Sequence, residues 1–141
     1  MDANKAVAQF KAQLNKNGSD IDAAIALGNI YYDNNEVAQA ILYYRCALDV
    51  NPNLPGVRTD MGTMYWRNDD ISFAEKAFRD AIASDVGFGN AYVNLGLLLQ
   101  HARNDIAGAR AVWQKLLEVN PNHQAAGKVR ELLQETATAI N

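Results

Sequence analysis

The chain has 141 residues, of which 49% are hydrophobic and 21% charged, and its formal net charge is −3. This composition is that of a globular domain with a continuous core. An acidic chain without a run of lysine or arginine is poorly suited to a phosphate backbone, so nucleic acid is not the expected partner. The longest apolar run, residues 95–99, is far too short to cross a bilayer.

The first predicted helix covers residues 3–17. Ala6, Phe10 and Leu14 recur at four-residue steps, which places them on one helical face. The same order of small, aromatic and leucine residues returns 34 residues later in the chain. We therefore interpret this helix as the second half of a repeat whose first half is missing.

Three segments then repeat at intervals of about 34 residues: 21–54, 55–88 and 89–123. Each predicts two antiparallel amphipathic helices joined by a polar turn. Small residues recur in phase, and a large ring stands at one phase of every second helix. Glycine inside a helix costs about 1 kcal/mol relative to alanine, so three in phase indicate a packing requirement. The small residues are Gly28, Gly62, Gly96, Ala40, Ala74 and Ala109, and the rings are Tyr44, Phe78 and Trp113.

The segments between repeats carry turn residues. Pro52 and Pro121 each stop a helix, since proline cannot continue it. Residues 85–89 replace that proline after the second repeat, and their two glycines should loosen the joint unless Phe88 anchors it. The third repeat is one residue longer than the others, and we place the extra residue in the turn at 101–105.

Residues 124–139 are predicted to form a polar capping helix. The pattern over residues 4–138 resembles the tetratricopeptide repeat, which reads W-x2-L-G-x2-Y, then A-x3-F, then P. It is similar to short bacterial arrays of this repeat. The resemblance implies an all-α fold in one domain over residues 1–141, a right-handed superhelical solenoid of antiparallel helix pairs with about eight helices.

The resemblance also implies a protein that holds other proteins rather than one that transforms molecules. Neither His101 nor His123 has a spacing typical of a zinc site. No phosphate-binding loop and no nucleophile motif is present in the sequence. We therefore predict no enzyme activity, no catalytic residue, no cofactor and no metal.

In this family the first helices of successive repeats line a concave groove that binds a peptide or helix of another protein. Tyr32 and Trp66 each follow a tyrosine at a core phase, Tyr31 or Tyr65, by one residue. That step is a rotation of about 100° and turns them toward the groove as anchors, or else onto neighbouring helix surface. Asp60 would repel a carboxylate, so a clamp for an acidic chaperone tail is not expected. The predicted groove residues are Ile25, Asn29, Tyr32, Thr63, Trp66, Arg67, Asn90, Asn94, Leu97 and His101.

The alternative function is a structural or self-association module, the soluble part of a longer assembly factor that is membrane-anchored or free. Its contact surface, for example that of a homodimer, would include five apolar or thiol side chains, or these would be covered by a neighbouring element. The expected compartment is the cytoplasm, with the periplasm or a membrane tether as the alternative if an upstream anchor has been removed. The five residues are Phe10, Leu14, Leu42, Tyr43 and Cys46.

Overall fold

The computed structural model describes residues 2–138. That range consists of α-helices and turns without a strand, and each helix packs against the next in the chain. Three helix pairs result, with α2, α4 and α6 as first helices and α3, α5 and α7 as second helices. The predicted all-α solenoid of helix pairs is confirmed. The eight helices of residues 2–138 are α1 (Ala3–Lys16), α2 (Ile21–Asp33), α3 (Val37–Val50), α4 (Pro55–Arg67), α5 (Ile71–Ser84), α6 (Gly89–Ala102), α7 (Ile106–Val119) and α8 (Ala126–Thr136).

The last helix begins later than residue 124. The backbone N–H of Ala125 donates a hydrogen bond of 2.9 Å to the imidazole Nδ1 of His123, and Ala126 N–H donates to the His123 carbonyl. These bonds hold the segment before α8 in a turn. The expected final residue, Ala139, lies outside the described residues. The division of the chain into repeats at the stated boundaries stays a prediction.

The turn inside each repeat depends on a residue in the left-handed backbone region. Asn35, Asp69 and Asn104 have φ of 57°, 61° and 53°, which asparagine and aspartate tolerate better than most residues. In the first two repeats, the amide three residues after the last helical residue bonds to the carbonyl five residues back, as at many helix C-termini. In the third repeat, Asp105 N–H bonds to Leu99 O, six residues back. The extra residue thus lies at this helix end and turn, as predicted.

The in-phase glycines lie against the in-phase rings. Tyr44, Phe78 and Trp113 are all buried. A Cβ atom on Gly62 would lie 2.6 Å from Phe78 Cε1, and one on Gly28 or Gly96 would overlap the ring of Tyr44 or Trp113. The packing requirement inferred from the sequence is therefore present in the structure.

The two core-phase tyrosines Tyr31 and Tyr65 are only half-buried, which differs from the expectation. Each is covered by a ring from the following helix rather than enclosed. Tyr31 stacks on Tyr43 with ring centroids 5.7 Å apart, and Tyr65 stacks on Phe73 at 5.3 Å. At Tyr31 and Tyr65 the core phase therefore corresponds to a partly covered site.

The joint between the second and third repeats is held in place, despite its two glycines. The hydroxyl of Tyr92 donates a hydrogen bond of 2.7 Å to Val86 O, and Asn120 Nδ2 donates one of 3.0 Å to Gly87 O. The Phe88 ring lies over Gly56, where an added Cβ would be 3.7 Å from Phe88 Cζ. Phe88 is thus one of three groups that fix this segment.

The two end helices are buried to different extents. α1 packs against α2 but has no fully buried residue, and Phe10 and Leu14 are half-buried. α8 packs against α7 and buries Val129 completely. The guanidinium of Arg110 fastens α8 by donating to the backbone oxygen of Leu133 and to the Thr136 hydroxyl.

Across residues 2–138, no helix has the length and apolar character that a membrane span requires.

Candidate binding groove

A concave cavity of about 380 Å³, called the groove from here on, lies where the first helices meet α8. α2 contributes one residue, α4 four, of which one is a glycine, and α6 three. Phe88, just before α6, and two residues near the start of α8 close it. The lining residues are Tyr32, Gly56, Thr59, Asp60, Thr63, Phe88, Asn90, Val93, Asn94, Ala125 and Lys128.

Four of the residues predicted for the site line this groove. They are Tyr32 from α2, Thr63 from α4, and Asn90 and Asn94 from α6. Thr63 also borders a neighbouring cavity of about 350 Å³, which is otherwise lined by Trp66 and Arg67. These six side chains therefore lie around two adjoining depressions.

The other four predicted residues do not line the groove. Ile25 and Leu97 are half-buried and pack against the core clusters. His101 is exposed in the last turn of α6. The side-chain oxygen of Asn29 accepts a hydrogen bond of 2.7 Å from the hydroxyl of Tyr44, which leaves its NH₂ group for other contacts.

The two predicted aromatic anchors lie in different surroundings. The guanidinium carbon of Arg67 is 4.7 Å from the centroid of the Tyr32 ring, a cation–π distance that holds the two side chains together. Trp66 is half-buried and packs against the core cluster that contains Trp113. Tyr32 therefore presents to the groove a ring that Arg67 holds in place, whereas Trp66 borders the second cavity, and both rings also pack against a core cluster.

Sequence reasoning missed the contribution of α8, because that helix was interpreted only as a cap. Lys128 lies at the phase of Thr59 and Val93, 35 residues after Val93, and Ala125 has the same relation to Asn90. Treating α8 as the first helix of a further repeat would have placed both residues in the groove.

The carboxylate of Asp60 dominates the electrostatics of the groove. Burial, and secondly the charge of Asp33 on α2, raise its pKa from 3.8 to about 6. Burial and the Asp60 carboxylate likewise raise the pKa of the Tyr44 hydroxyl. Within residues 2–138, Asp60 has no hydrogen bond or ion pair. A cationic or hydrogen-bond-donating group in the groove would therefore be favoured beside it.

We expect Asp60→Asn to raise the free energy of unfolding by about 1 kcal/mol near pH 8, since part of the carboxylate's hydration is kept. The folded pKa lies above the unfolded value, so the folded protein binds a proton that the unfolded chain releases between these two values. The charged carboxylate thus costs stability above about pH 6, and this cost disappears near pH 4. Urea denaturation at both pH values checks the effect.

The exposed Glu131→Gln near the middle of α8 is the control for that measurement. It removes the same charge from a solvent-exposed site, so its effect on the free energy of unfolding at pH 8 should be smaller than that of Asp60→Asn. An Asp60→Asn gain of the same size at pH 4 and pH 8 would contradict the assignment.

The polar groups of the groove differ in what they can offer a ligand. Thr59 and Thr63 donate their hydroxyl hydrogens to carbonyls of their own helix, at 2.8 and 3.3 Å, so only acceptor capacity remains. Asn90 and Asn94 make no side-chain hydrogen bond with the described part of the chain. Their amides can both donate to and accept from a peptide backbone. In residues 2–138, no group of three histidine, cysteine or acidic side chains is arranged to hold a metal ion.

The family and the fold follow from comparison with known proteins. The sequence model of the Tetratricopeptide repeat family matches residues 21–54. The chain therefore carries a tetratricopeptide repeat and has the fold of tetratricopeptide-repeat proteins, which confirms the resemblance to this family. Such repeats are generally non-catalytic interaction modules.

Individual proteins are similar to most of the chain in sequence or in structure. The general transcriptional corepressor ssn6 of Schizosaccharomyces pombe is 24% identical over 91% of the chain, and the chain spans 12% of its length. The crystal structure of MamA superposes with a TM-score of 0.79 at 20% identity, covering 99% of this chain and 83% of MamA. The first tetratricopeptide domain of Spaghetti (RPAP3), bound to the HSP90 peptide SRMEEVD, gives 0.67 at 26% identity, covering 82% and 96%.

Proposed function

We propose that this protein is an interaction scaffold that binds an extended or helical segment of another protein in the groove. The observation that carries the proposal is a preformed concave cavity between packed helices, with the Tyr32 ring and the free amides of Asn90 and Asn94 in its wall. Concave sites with a few convergent polar groups are the usual binding sites of proteins. Rigid helices also lower the ordering cost of binding.

The comparisons support a peptide ligand, and the Asp60 carboxylate argues against a strongly acidic one. The Spaghetti domain, which has the same fold, is described with the peptide SRMEEVD bound. Here Asp60 has no partner in the described residues, and Lys128 is the one cationic side chain among the lining residues. A segment with neutral or basic side chains at this point avoids repulsion between carboxylates. Trp66 and Arg67, beside Thr63, extend the proposed contact surface into the second cavity.

A peptide-display selection tests the proposal with a matched pair of variants. The peptides that are enriched should bind the double variant Asn90→Ala, Asn94→Ala at least about tenfold more weakly than the parent chain. The control is Gln39→Ala with Gln114→Ala, two exposed amides on the second helices. Circular dichroism melting should show all three proteins equally folded. Peptides that bind all three proteins equally, or no enrichment at all, would overturn the proposal.

Self-association is the second candidate function, and the surface of α3 favours it. Leu42 is 55% exposed, and the half-buried Tyr43 and Cys46 lie within one turn of it. An exposed apolar patch of this kind can form an interface with a second copy. Light scattering at two concentrations should then show a dimer that Leu42→Glu abolishes. The half-buried Phe10 and Leu14 of α1 are a further part of the proposed self-association surface. The cellular compartment of the protein stays a prediction.

A further inference from the structure

A further cavity, here named the outer furrow, lies between the second helices α5 and α7. Its volume is about 610 Å³, which is larger than that of the groove. Most of its wall is apolar, and its floor is formed by two residues of α6. The lining residues are Arg79, Ile82, Val86, Tyr92, Leu95, Ala111, Val112, Lys115 and Val119.

A smaller furrow of about 240 Å³ lies at the repeat-equivalent positions of α4 and α5, and one ion pair, between Arg58 and Asp80, joins these two helices across it. There the carboxylate of Asp80 lies 3.8 Å from Arg58 and 2.6 Å from Lys76. Both of its cationic partners line that smaller furrow with it. The surface of the smaller furrow is therefore occupied by charged groups that are paired with one another.

In the outer furrow none of these three charged groups remains at its repeat phase. Tyr92, Ala111 and Lys115 stand 34 or 35 residues after Arg58, Lys76 and Asp80. The hydroxyl of Tyr92 turns away to donate to Val86 O, so its ring faces the furrow. The Arg58–Asp80 pair thus has no counterpart here, and a ring and a methyl group take the places of Arg58 and Lys76, which leaves an apolar depression open.

The ends of the outer furrow expose branched aliphatic side chains. Val86 is 63% exposed and Val119 is 37% exposed. Val86 stands at the repeat position where the other segments between repeats have Pro52 and Pro121. Contiguous exposed apolar surface of this kind commonly marks a protein interaction site.

The shape of the outer furrow suits a helix. From Ala111 to Val119, α7 lines it over about two turns, or about 12 Å at 1.5 Å per residue. Ile82 and Val86 form the opposite wall near the end of α5. An amphipathic helix inserts side chains at positions i, i+3, i+4 and i+7 into a groove of such length.

The charge at the rim of the outer furrow is positive. Its lining includes Arg79 and Lys115 and no acidic residue. Glu75 binds Arg79 at 2.9 Å but is shared with Arg103 at 3.2 Å, so one positive charge is left over. The exposed pair between Lys115 and Glu118, at 3.6 Å, is of a kind that contributes little. Carboxylates on a ligand would complement this rim.

We propose that the outer furrow binds an amphipathic helical segment of another protein, through branched aliphatic side chains with carboxylates beside them. The open apolar wall accepts the aliphatic face. Arg79 and Lys115 at the rim pair with the carboxylates. This site is separate from the groove, and its occupation does not depend on a ligand there.

Nuclear magnetic resonance titration with designed peptides tests the proposal. The probe is a peptide of about 16 residues with leucines at i, i+3, i+4 and i+7 and glutamates flanking them, and its partner peptide has lysine for every glutamate. We expect the acidic peptide to shift the amide signals of Ile82, Ala111, Val112 and Val119. The basic peptide should bind at least about tenfold more weakly.

The double variant Ala111→Lys, Lys115→Asp recreates in α7 the arrangement of Lys76 and Asp80 and should close the outer furrow. Both positions are exposed, so folding should be retained, as a melting curve will show. The acidic peptide should lose at least about tenfold in affinity for this variant. The control Ala38→Lys, at an exposed position of α3, should bind as the parent does.

Four results would overturn the proposal. They are the absence of any shift up to about 1 mM peptide, shifts confined to Thr63, Asn90 and Asn94 in the groove, equal binding of the two peptides, and equal binding by the double variant. A dimer of the parent chain that the double variant dissociates would assign the outer furrow to a second copy instead. Sedimentation of both proteins without peptide reveals that outcome.

Discussion

Trp113→Ala is expected to lower the free energy of unfolding by about 3–5 kcal/mol, the usual cost of removing a large buried ring. Trp113 is fully buried in the core cluster that joins α5, α6, α7 and α8. Its indole Nε1 donates a hydrogen bond of 3.4 Å to Val93 O. Because its ring also fills the space over Gly96, the cavity cannot close without moving α6 toward α7.

Urea denaturation measures this cost, with Trp66→Ala as the matched control. Trp66 is the other tryptophan of the chain, and it is only half-buried. Its truncation should cost clearly less than that of Trp113, since less apolar area leaves contact with the protein. Equal losses from the two substitutions, or a loss below about 1 kcal/mol for Trp113, would contradict this assignment of the core.

Gly96→Ala is expected to destabilise the protein by about 1–3 kcal/mol, the usual cost of overpacking a core. Helix propensity alone predicts the opposite sign, because alanine is favoured over glycine by about 1 kcal/mol in a helix. The added methyl group, however, would overlap the indole of Trp113, which has no free space to move into. Steric overlap should therefore outweigh propensity at this position.

Gly127→Ala gives the same chemical change without the overlap. Gly127 lies on the exposed side of α8, and no atom lies within 4 Å of a Cβ added there. Propensity should then dominate and raise the free energy of unfolding by up to about 1 kcal/mol. Denaturation curves that shift in the same direction for both variants would show that the ring does not restrict α6.

The helix pairs are predictable from the sequence, because their determinants are local and repeat along it. A glycine near the middle of each first helix and a ring on each second helix return every 34 or 35 residues, and each pair meets within its own repeat. The extra residue of the third repeat could be placed for the same reason. Its effect is confined to one turn, where the bond from Asp105 reaches Leu99.

The groove was predictable only in part. Phase identified Tyr32, Thr63, Asn90 and Asn94, since these lie on the inner side of the first helices. Phase does not tell which cavity a side chain borders, and so it did not separate Trp66, which borders the second cavity, from Tyr32 in the groove. The interpretation of α8 as a cap also hid Lys128, because the closure of the groove depends on how far the array curves.

By itself, the sequence determined the helical class, the pairing of helices and the aromatic rings that fill the space between paired helices. Each of these depends on contacts within about one repeat. The tertiary structure decided the properties that arise between helices distant in sequence. The pKa of Asp60 depends on burial and on Asp33 from another repeat. The outer furrow is open because Tyr92 and Lys115, from different helices, stand where the preceding repeat has the ion pair of Arg58 and Asp80. Coulomb energies and cavities depend on distances through space, which repeat phase does not specify.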